Sequence, residues 1–298
     1  MTERFAFVQL DVFASALFDG NPLAVVLGAD RLDGSAMQRI ARWTNLSETA
    51  FLLLPTVPQA DYRVRIFTTR QELPFAGHPS VGTAYVAIDS GFVDASKRSL
   101  IQECAAGLLP VRVDGNGSAR IIHVQAPKAS ITRVDELLAA AVASALQPAE
   151  DRPNQAADTM QVVNNGPRWL VCDLSSAAAV RALKPDFAAI ASITGQAALV
   201  GVCVFGREGD DGDAAMAVRA FCPGDGMAED PVTGSANAAI AAFLAERGDL
   251  SAYGLSYRAS QGREVGRNGV VEVSVDLGRG AVCVGGACAI GVRGHLAY

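Results

Sequence analysis

Short runs of alternating or β-branched apolar residues dominate the chain. They cover Phe5–Phe13, Ala50–Leu54, Tyr62–Phe67, Leu108–Val113, Ile121–Val124 and Val200–Phe205, then Ala215–Phe221, Val270–Val275 and Ala281–Ile290. Period-two patterning over such lengths predicts strands. Helical periodicity is rarer. Residues 33–43 open on Asp33, a capping residue type, and bring Met37, Ile40 and Ala41 to one side. Residues 135–146 place Leu138, Ala141, Val142 and Ala145 on one face. Strands and helices do not alternate as repeating β-α-β units. The expected class is therefore α+β, with sheets around a few helices.

Two distant stretches resemble each other. VRIFTTRQELPFAGHPSVGTAYVAI (64–88) and VRAFCPGDGMAEDPVTGSANAAI (218–240) both open V-R-x-F and run through a polar loop into P-x-x-G-[ST]-A. In register, Pro79 matches Pro231, Gly82 matches Gly234, Thr83 matches Ser235 and Ala84 matches Ala236. Helical faces follow: Val81, Ala84, Tyr85 and Ile88 in one, Ala236, Ala239, Ile240 and Phe243 in the other. The loops differ by two residues, so the repeat is degenerate, and chance self-matching in an Ala- and Gly-rich chain is its rival explanation. If the halves are related, each ends a polar loop on a small, bare helix start, at Thr83 and at Ser235. Unpaired N–H groups and the positive dipole end there would hold an anion such as a carboxylate.

Composition narrows the function classes. At 298 residues the chain has room for two ordinary domains, and 50% apolar residues with 19% charged is a globular balance. A net charge of −6 gives no electrostatic reason to expect nucleic acid or anionic membrane, while leaving small organic acids open. The start, MTERFAFVQLDVF, lacks the long apolar core of a signal peptide. FAAIASITGQAALVGVCVFG (187–206) is uncharged over a bilayer-spanning length, but Thr194, Gly195 and Gln196 interrupt it. It reads as a buried helix, a turn and a central strand. The six cysteines form no C-x-x-C pair and have no His at metal spacing, which favours a reducing cytoplasm and neither a metal site nor disulfides.

Three residues are candidates for proton chemistry. Glu48, in NLSETAF (45–51), stands between a helix end and the apolar run Ala50–Leu54. A carboxylate held against apolar surface is expected to titrate above the ordinary glutamate value of about 4.3, towards the range useful for moving protons. His78 and Asp230 fall opposite one another in the repeat, each just ahead of its matching Pro. Each has a plain structural alternative: a surface carboxylate for Glu48, a turn histidine bonded to backbone for His78, an N-cap for Asp230. His123 and His295 show no partners. GDDGD (209–213) lacks calcium-loop spacing and reads as a hairpin tip. Dinucleotide, P-loop, nucleophile-elbow and zincin motifs are absent from the sequence.

The motifs taken together resemble the phenazine-biosynthesis isomerase (PhzF-like) family, with its diaminopimelate-epimerase-like fold. The pieces that carry this are DVFASALFDGNPLAVVL (11–27), NLSETAF, FAGHPSVGTA (75–84), EDPVTGSANAA (229–239), SQGREVGRNG (260–269) and VGGACAIGVRG (284–294). The resemblance implies two pseudo-symmetric domains, each a β-sheet wrapped around a central helix, with the site between them. The halves would be 1–127 and 128–298, the last ten or so residues returning to the first. It also implies no cofactor and a homodimer. By motif, Glu48 matches the family's proton-shuttling glutamate. His78, Asp230, Gly77 and Ser235 look like substrate-holding and proton-relaying groups, with Thr83 and Gly234 at the two helix starts. Related racemases use paired thiols at positions that fall here near Ala76 and Pro231, and Cys222 has no matching thiol in the first half. That departure points to carboxylate chemistry. The expected activity is a proton shift within a small carboxylate-bearing substrate; an amino-acid epimerase or racemase and a silent metabolite-binding protein are the alternatives.

Overall fold

A computed structural model of the chain describes residues 3–147, 157–209 and 212–298. In chain order it begins with β1 (Arg4–Val12), β2 (Asn21–Leu27), α1 (Gly34–Thr44), β3 (Glu48–Leu53), β4 (Tyr62–Thr68) and β5 (Glu72–Leu73). There follow α2 (Gly77–Asp89), β6 (Ser99–Cys104), β7 (Gly107–Asp114), β8 (Ile121–Gln125), β9 (Ser130–Arg133), α3 (Glu136–Leu146), β10 (Met160–Asn164) and β11 (Arg168–Ser176). Next come α4 (Ala177–Arg181), α5 (Phe187–Gln196), β12 (Gly201–Arg207), β13 (Met216–Cys222), β14 (Met227–Asp230) and α6 (Gly234–Arg247). The chain ends with β15 (Ser256–Gln261), β16 (Gly269–Asp276), β17 (Ala281–Gly286) and β18 (Cys288–Ala297). Two compact units result: Met1–Gln125 with Gly285–Tyr298, and Ala126–Val284.

In the first unit, α2 is buried from Gly77 to Ile88 and packs against β1, β2, β3, β4 and β8. A helix that is apolar around its whole circumference needs cover on every side, and the strands supply it. The single faces expected for this helix and for α6 are therefore too narrow. A second layer, α1, is capped as its sequence demands. The Asp33 carboxylate accepts from the Ala36 N–H at 2.7 Å, and Asn45 ends the helix in the left-handed region. Its apolar side, Ala36, Met37, Ile40 and Ala41, joins Val26, Phe51 and Phe67 in one cluster.

The second unit repeats the construction. Its central helix, α6, is buried through most of its length and packs against β10, β11, β12 and β16. Its outer layer is helical as well: Val142 of α3, Val180 of α4 and Ile190 of α5 share a core with Leu170, Val204 and Phe221. The pairing matches strand for strand. β2 runs parallel to β3, β3 antiparallel to β4, β4 antiparallel to β5 and parallel to β6. Likewise β11 runs parallel to β12, β12 antiparallel to β13, β13 antiparallel to β14 and parallel to β15. The short sequence echo is thus the visible part of a β4–β5–α2 and β13–β14–α6 repeat. This is the α+β class expected, with a sheet around a central helix in each unit.

Several local expectations shift. In α3 the buried stripe is Ala139, Val142, Ala145 and Leu146, with Leu138 half-buried and Ala141 exposed. Centred on Val142, that stripe leaves Ala141 about 100° away, and an alanine tolerates either side. Within α5 only Ile190 and Thr194 are buried, so the 187–206 window holds a half-covered outer helix followed by β12, whose first six residues are buried. Among the described residues no helix is long and apolar enough to cross a membrane. The apolar run Ala281–Ile290 is split at Ala287 into β17 and β18. Asp210 and Asp211 of the GDDGD stretch lie outside the described residues.

Candidate active site

In the first unit the candidate residues gather at one end. Val12, the last residue of β1, pairs with Asn21, the first of β2. β2 in turn runs parallel to β3, with Ala24 opposite Thr49, so β3 starts at that same end with Glu48. The α1 cap at Asn45 turns the chain there, and the Thr44 and Thr49 hydroxyls meet at 2.7 Å across the turn. Helix α2 begins at the same place because Pro79 is tolerated in a first turn, where its missing N–H has no partner to lose. The N-cap is Ala76, whose side chain has no group to cap with. Gly77 and His78 open the helix, both buried.

This brings His78 Nε2 to 3.4 Å from Glu48 Oε2, with the side chains 8% and 17% exposed. Glu48 is thus not a surface carboxylate, and His78 lies within the first turn of α2. A carboxyl and an imidazole in near contact, mostly out of water, can hold and pass a proton between them. Behind them the helix is anchored by polar groups: Gln102 donates to Ser80 Oγ at 3.0 Å, and Tyr62 donates to Gln102 Oε1 at 3.1 Å. Burial pushes the Tyr62 hydroxyl far above the usual tyrosine range, so it stays a donor.

Thr83 is placed differently from expectation. It lies in the interior of α2, fully buried, six residues beyond the first helical residue. The helix extends back through Pro79 to Gly77, so the bare start in this unit is at Gly77 and His78.

The second unit assembles the other set. Asp230 ends β14, opposite Ala220 of β13. It is not an N-cap: α6 is capped from Thr233, whose side chain makes no cap bond. The Thr233 hydroxyl instead donates to Asp230 Oδ2 at 2.6 Å. Gly234 and Ser235 then form the first turn of α6. Trp169 of β11 donates its indole N–H to Ser235 Oγ at 3.1 Å, and Asn165 Nδ2 donates to the Ser235 carbonyl at 2.9 Å. An indole can only donate, so the Ser235 hydroxyl accepts there and keeps its own proton for another acceptor. Beneath the turn, Gln261 bonds the backbone of both Asp230 and Thr233. Behind it, Arg219 and Glu229 form a buried bidentate pair at 2.9 and 2.7 Å, which ties β14 to β13.

Sequence reasoning missed Trp169, Thr233 and Gln261 as contributors. Thr233 and Gln261 stand inside motif stretches, but nothing local to them shows whom they meet; Trp169 carries no sequence signal at all. His123 does have a partner, Asp114 Oδ2 at 3.1 Å. Among the cysteines, burial pushes Cys172, Cys203 and Cys288 well above the ordinary thiol range, which suppresses the thiolate a proton-abstracting cysteine needs.

The sequence and the fold both match known proteins. The profile of the phenazine biosynthesis-like protein family (PhzC–PhzF) matches residues 10–294. Antisense-enhancing sequence 1 of Schizosaccharomyces pombe is 37% identical over 96% of each chain. Trans-2,3-dihydro-3-hydroxyanthranilate isomerase of Pseudomonas aeruginosa is 36% identical over 88% of this chain and 87% of its own. The crystal structure of a PhzF-family phenazine biosynthesis protein of Bacillus anthracis superposes with a TM-score of 0.83 at 24% identity, covering 99% of both chains, which shows a shared fold. The chain therefore belongs to the phenazine biosynthesis-like (PhzC–PhzF) family, and it is an isomerase.

Proposed function

We propose that this isomerase moves a proton within a small carboxylate-bearing substrate, with Glu48 carrying the proton, and that no cofactor takes part. The observation that carries the proposal is the Glu48–His78 contact, two largely buried titratable groups 3.4 Å apart at a bare helix start. Glu48 takes a proton from an acidic carbon and returns one to another carbon of the same delocalised system. His78, within reach of Oε2, orients the carboxyl and shares its proton. In the second unit, Asp230 and the donor hydroxyl of Ser235 hold polar groups of the substrate. The likeness to trans-2,3-dihydro-3-hydroxyanthranilate isomerase favours that compound, or one of its shape and charge, as substrate.

The test is incubation with trans-2,3-dihydro-3-hydroxyanthranilate in deuterated water, following absorbance and deuterium uptake. Turnover with deuterium at the newly protonated carbon is expected. Glu48→Gln should lower the rate about 10²–10⁴-fold, the usual contribution of a positioned acid–base group, with the melting temperature little changed. Full activity in that variant removes Glu48 from the mechanism. Deuterium at a stereocentre with inversion turns the assignment to an epimerase.

A further inference from the structure

We propose that Thr233 and Gln261 are positioning residues for Asp230, forming a hydrogen-bond relay that directs a hydroxyl proton onto its carboxylate. The proposal rests on the reading above in which Asp230 serves the reaction. Gln261 Oε1 lies 3.0 Å from the Thr233 backbone N–H, which can only donate. Its Nε2 lies 3.0 Å from the Asp230 backbone carbonyl, which can only accept. These two backbone groups leave the amide one orientation. Asn237 Nδ2 supplies a second donor to Oε1 at 3.0 Å and also donates to the Thr233 carbonyl at 2.9 Å.

The remaining Nε2 proton points to Thr233 Oγ1 at 2.9 Å, so the hydroxyl accepts there. Its single proton then goes to Asp230 Oδ2. The separation of 2.6 Å is in the range of a hydroxyl bonded to an ionised carboxylate. Thr233, Asn237 and Gln261 are 6%, 1% and 2% exposed, so water does not compete for these bonds. The relay also accounts for an oddity of α6. Threonine is a favoured N-cap type, yet this one leaves the helix uncapped because its hydroxyl is engaged with Asp230 and Gln261.

Two measurements test this. Neutron diffraction from the perdeuterated protein should place a deuteron on Thr233 Oγ1 directed at Asp230 Oδ2, and the Gln261 ND2 group facing the Asp230 carbonyl. A deuteron directed at Gln261 overturns the relay. The second is a kinetic cycle with trans-2,3-dihydro-3-hydroxyanthranilate. Thr233→Val removes the hydroxyl, and Gln261→Glu keeps the shape but removes the donating end. Each should lower kcat on the order of 10–100-fold, the weight of one hydrogen bond to a charged group. Thr233→Ser should retain most of the wild-type rate. Asp230→Asn combined with Thr233→Val should be no slower than Asp230→Asn alone, since both act through one carboxylate. Additive losses overturn the proposal and leave a purely structural turn. A wild-type rate in Asp230→Asn removes the underlying assignment of Asp230 and leaves the neutron result to stand. Absence of wild-type turnover removes the substrate, and the deuteron position then decides the relay by itself.

Discussion

Gly82 and Gly234 occupy the same place in the sequence echo but do different things. Gly234 is the first residue of α6, whereas Gly82 lies in the middle of α2. A Cβ built on Gly82 would stand 2.5 Å from Leu23 Cδ2 and 2.8 Å from Val12 Cγ2, both on residues with no exposure. The glycine is there to let α2 lie close on β1 and β2. Gly82→Val should therefore destabilise the protein by about 1–3 kcal/mol through overpacking, with little returned by the helix propensity of a β-branched residue. Urea denaturation at neutral pH measures this; an unchanged midpoint would mean the packing has slack. The case shows what was legible at this scale and what was not. Residue type and spacing name Glu48, His78, Asp230 and Ser235 as candidates; the structure brings the first two into near contact and sets the other two at the end of β14 and the start of α6. Type and spacing did not say whether a small residue makes room for a ligand or for a neighbouring side chain, which misplaced Thr83. Nor could they show that Trp169, 66 residues away, bonds the Ser235 hydroxyl.

At the level of elements, every apolar run named in the sequence falls on a strand, because burial on one or both sheet faces leaves a local trace, but β2, β5, β6, β9, β10, β11, β14 and β15 are not among those runs. The buried helices α2 and α6 were legible as helices but not as central ones. An Ala- and Gly-rich helix shows apolar character all round, and a pattern search for one face finds one regardless. Ties between elements left no trace at all. Arg181, the last residue of α4, pairs with Glu208, just past β12, through its two terminal guanidinium nitrogens, and the Ser260 hydroxyl of β15 donates to the same carboxylate at 3.1 Å. The Arg181 hydrogen bond is the main influence holding the Glu208 carboxyl below the ordinary glutamate range. A carboxylate depressed in the folded state adds stability above its unfolded pKa, near 4.3, and loses it as pH falls through the folded value. Arg181→Met should thus cost about 1–2 kcal/mol at pH 7, the pair being partly exposed. The gap from wild type should narrow towards zero in acid. Denaturant midpoints at pH 7 and at successive steps below pH 4.3 check this, and a gap constant with pH would show the loss to be one of packing.

On the scale of the whole molecule, the repeat extends well beyond the motif that betrayed it. Strands β1 to β7 and β10 to β16 follow the same order of pairings, each set closing around its own central helix. The ends of the repeats share a further feature. β9 follows β8 in the chain and pairs with β10, while β18 follows β17 and pairs with β1 from Arg4–Ala297 to Val12–Cys288. The first unit is therefore built from two pieces of chain, and its opening strand depends on Cys288–Ala297, much further along the sequence. Deleting residues 288–298 removes the β18 partner along the whole of β1. The backbone groups of β1 that face β18 lose their bonds, and Phe5 and Leu10, buried in that strand, lose cover. The second unit, Ala126–Val284, keeps every strand of its own pairing set. Hydrogen exchange on the truncated protein should show β1 and β2 approaching unprotected rates, with β11, β12 and β13 still protected. The Glu48–His78 end, framed by the ends of those same first strands, should lose its activity with them. Equal loss of protection in both units would mean that the molecule has one cooperative core rather than two, and retained protection in β1 would mean that its pairing with β2 suffices.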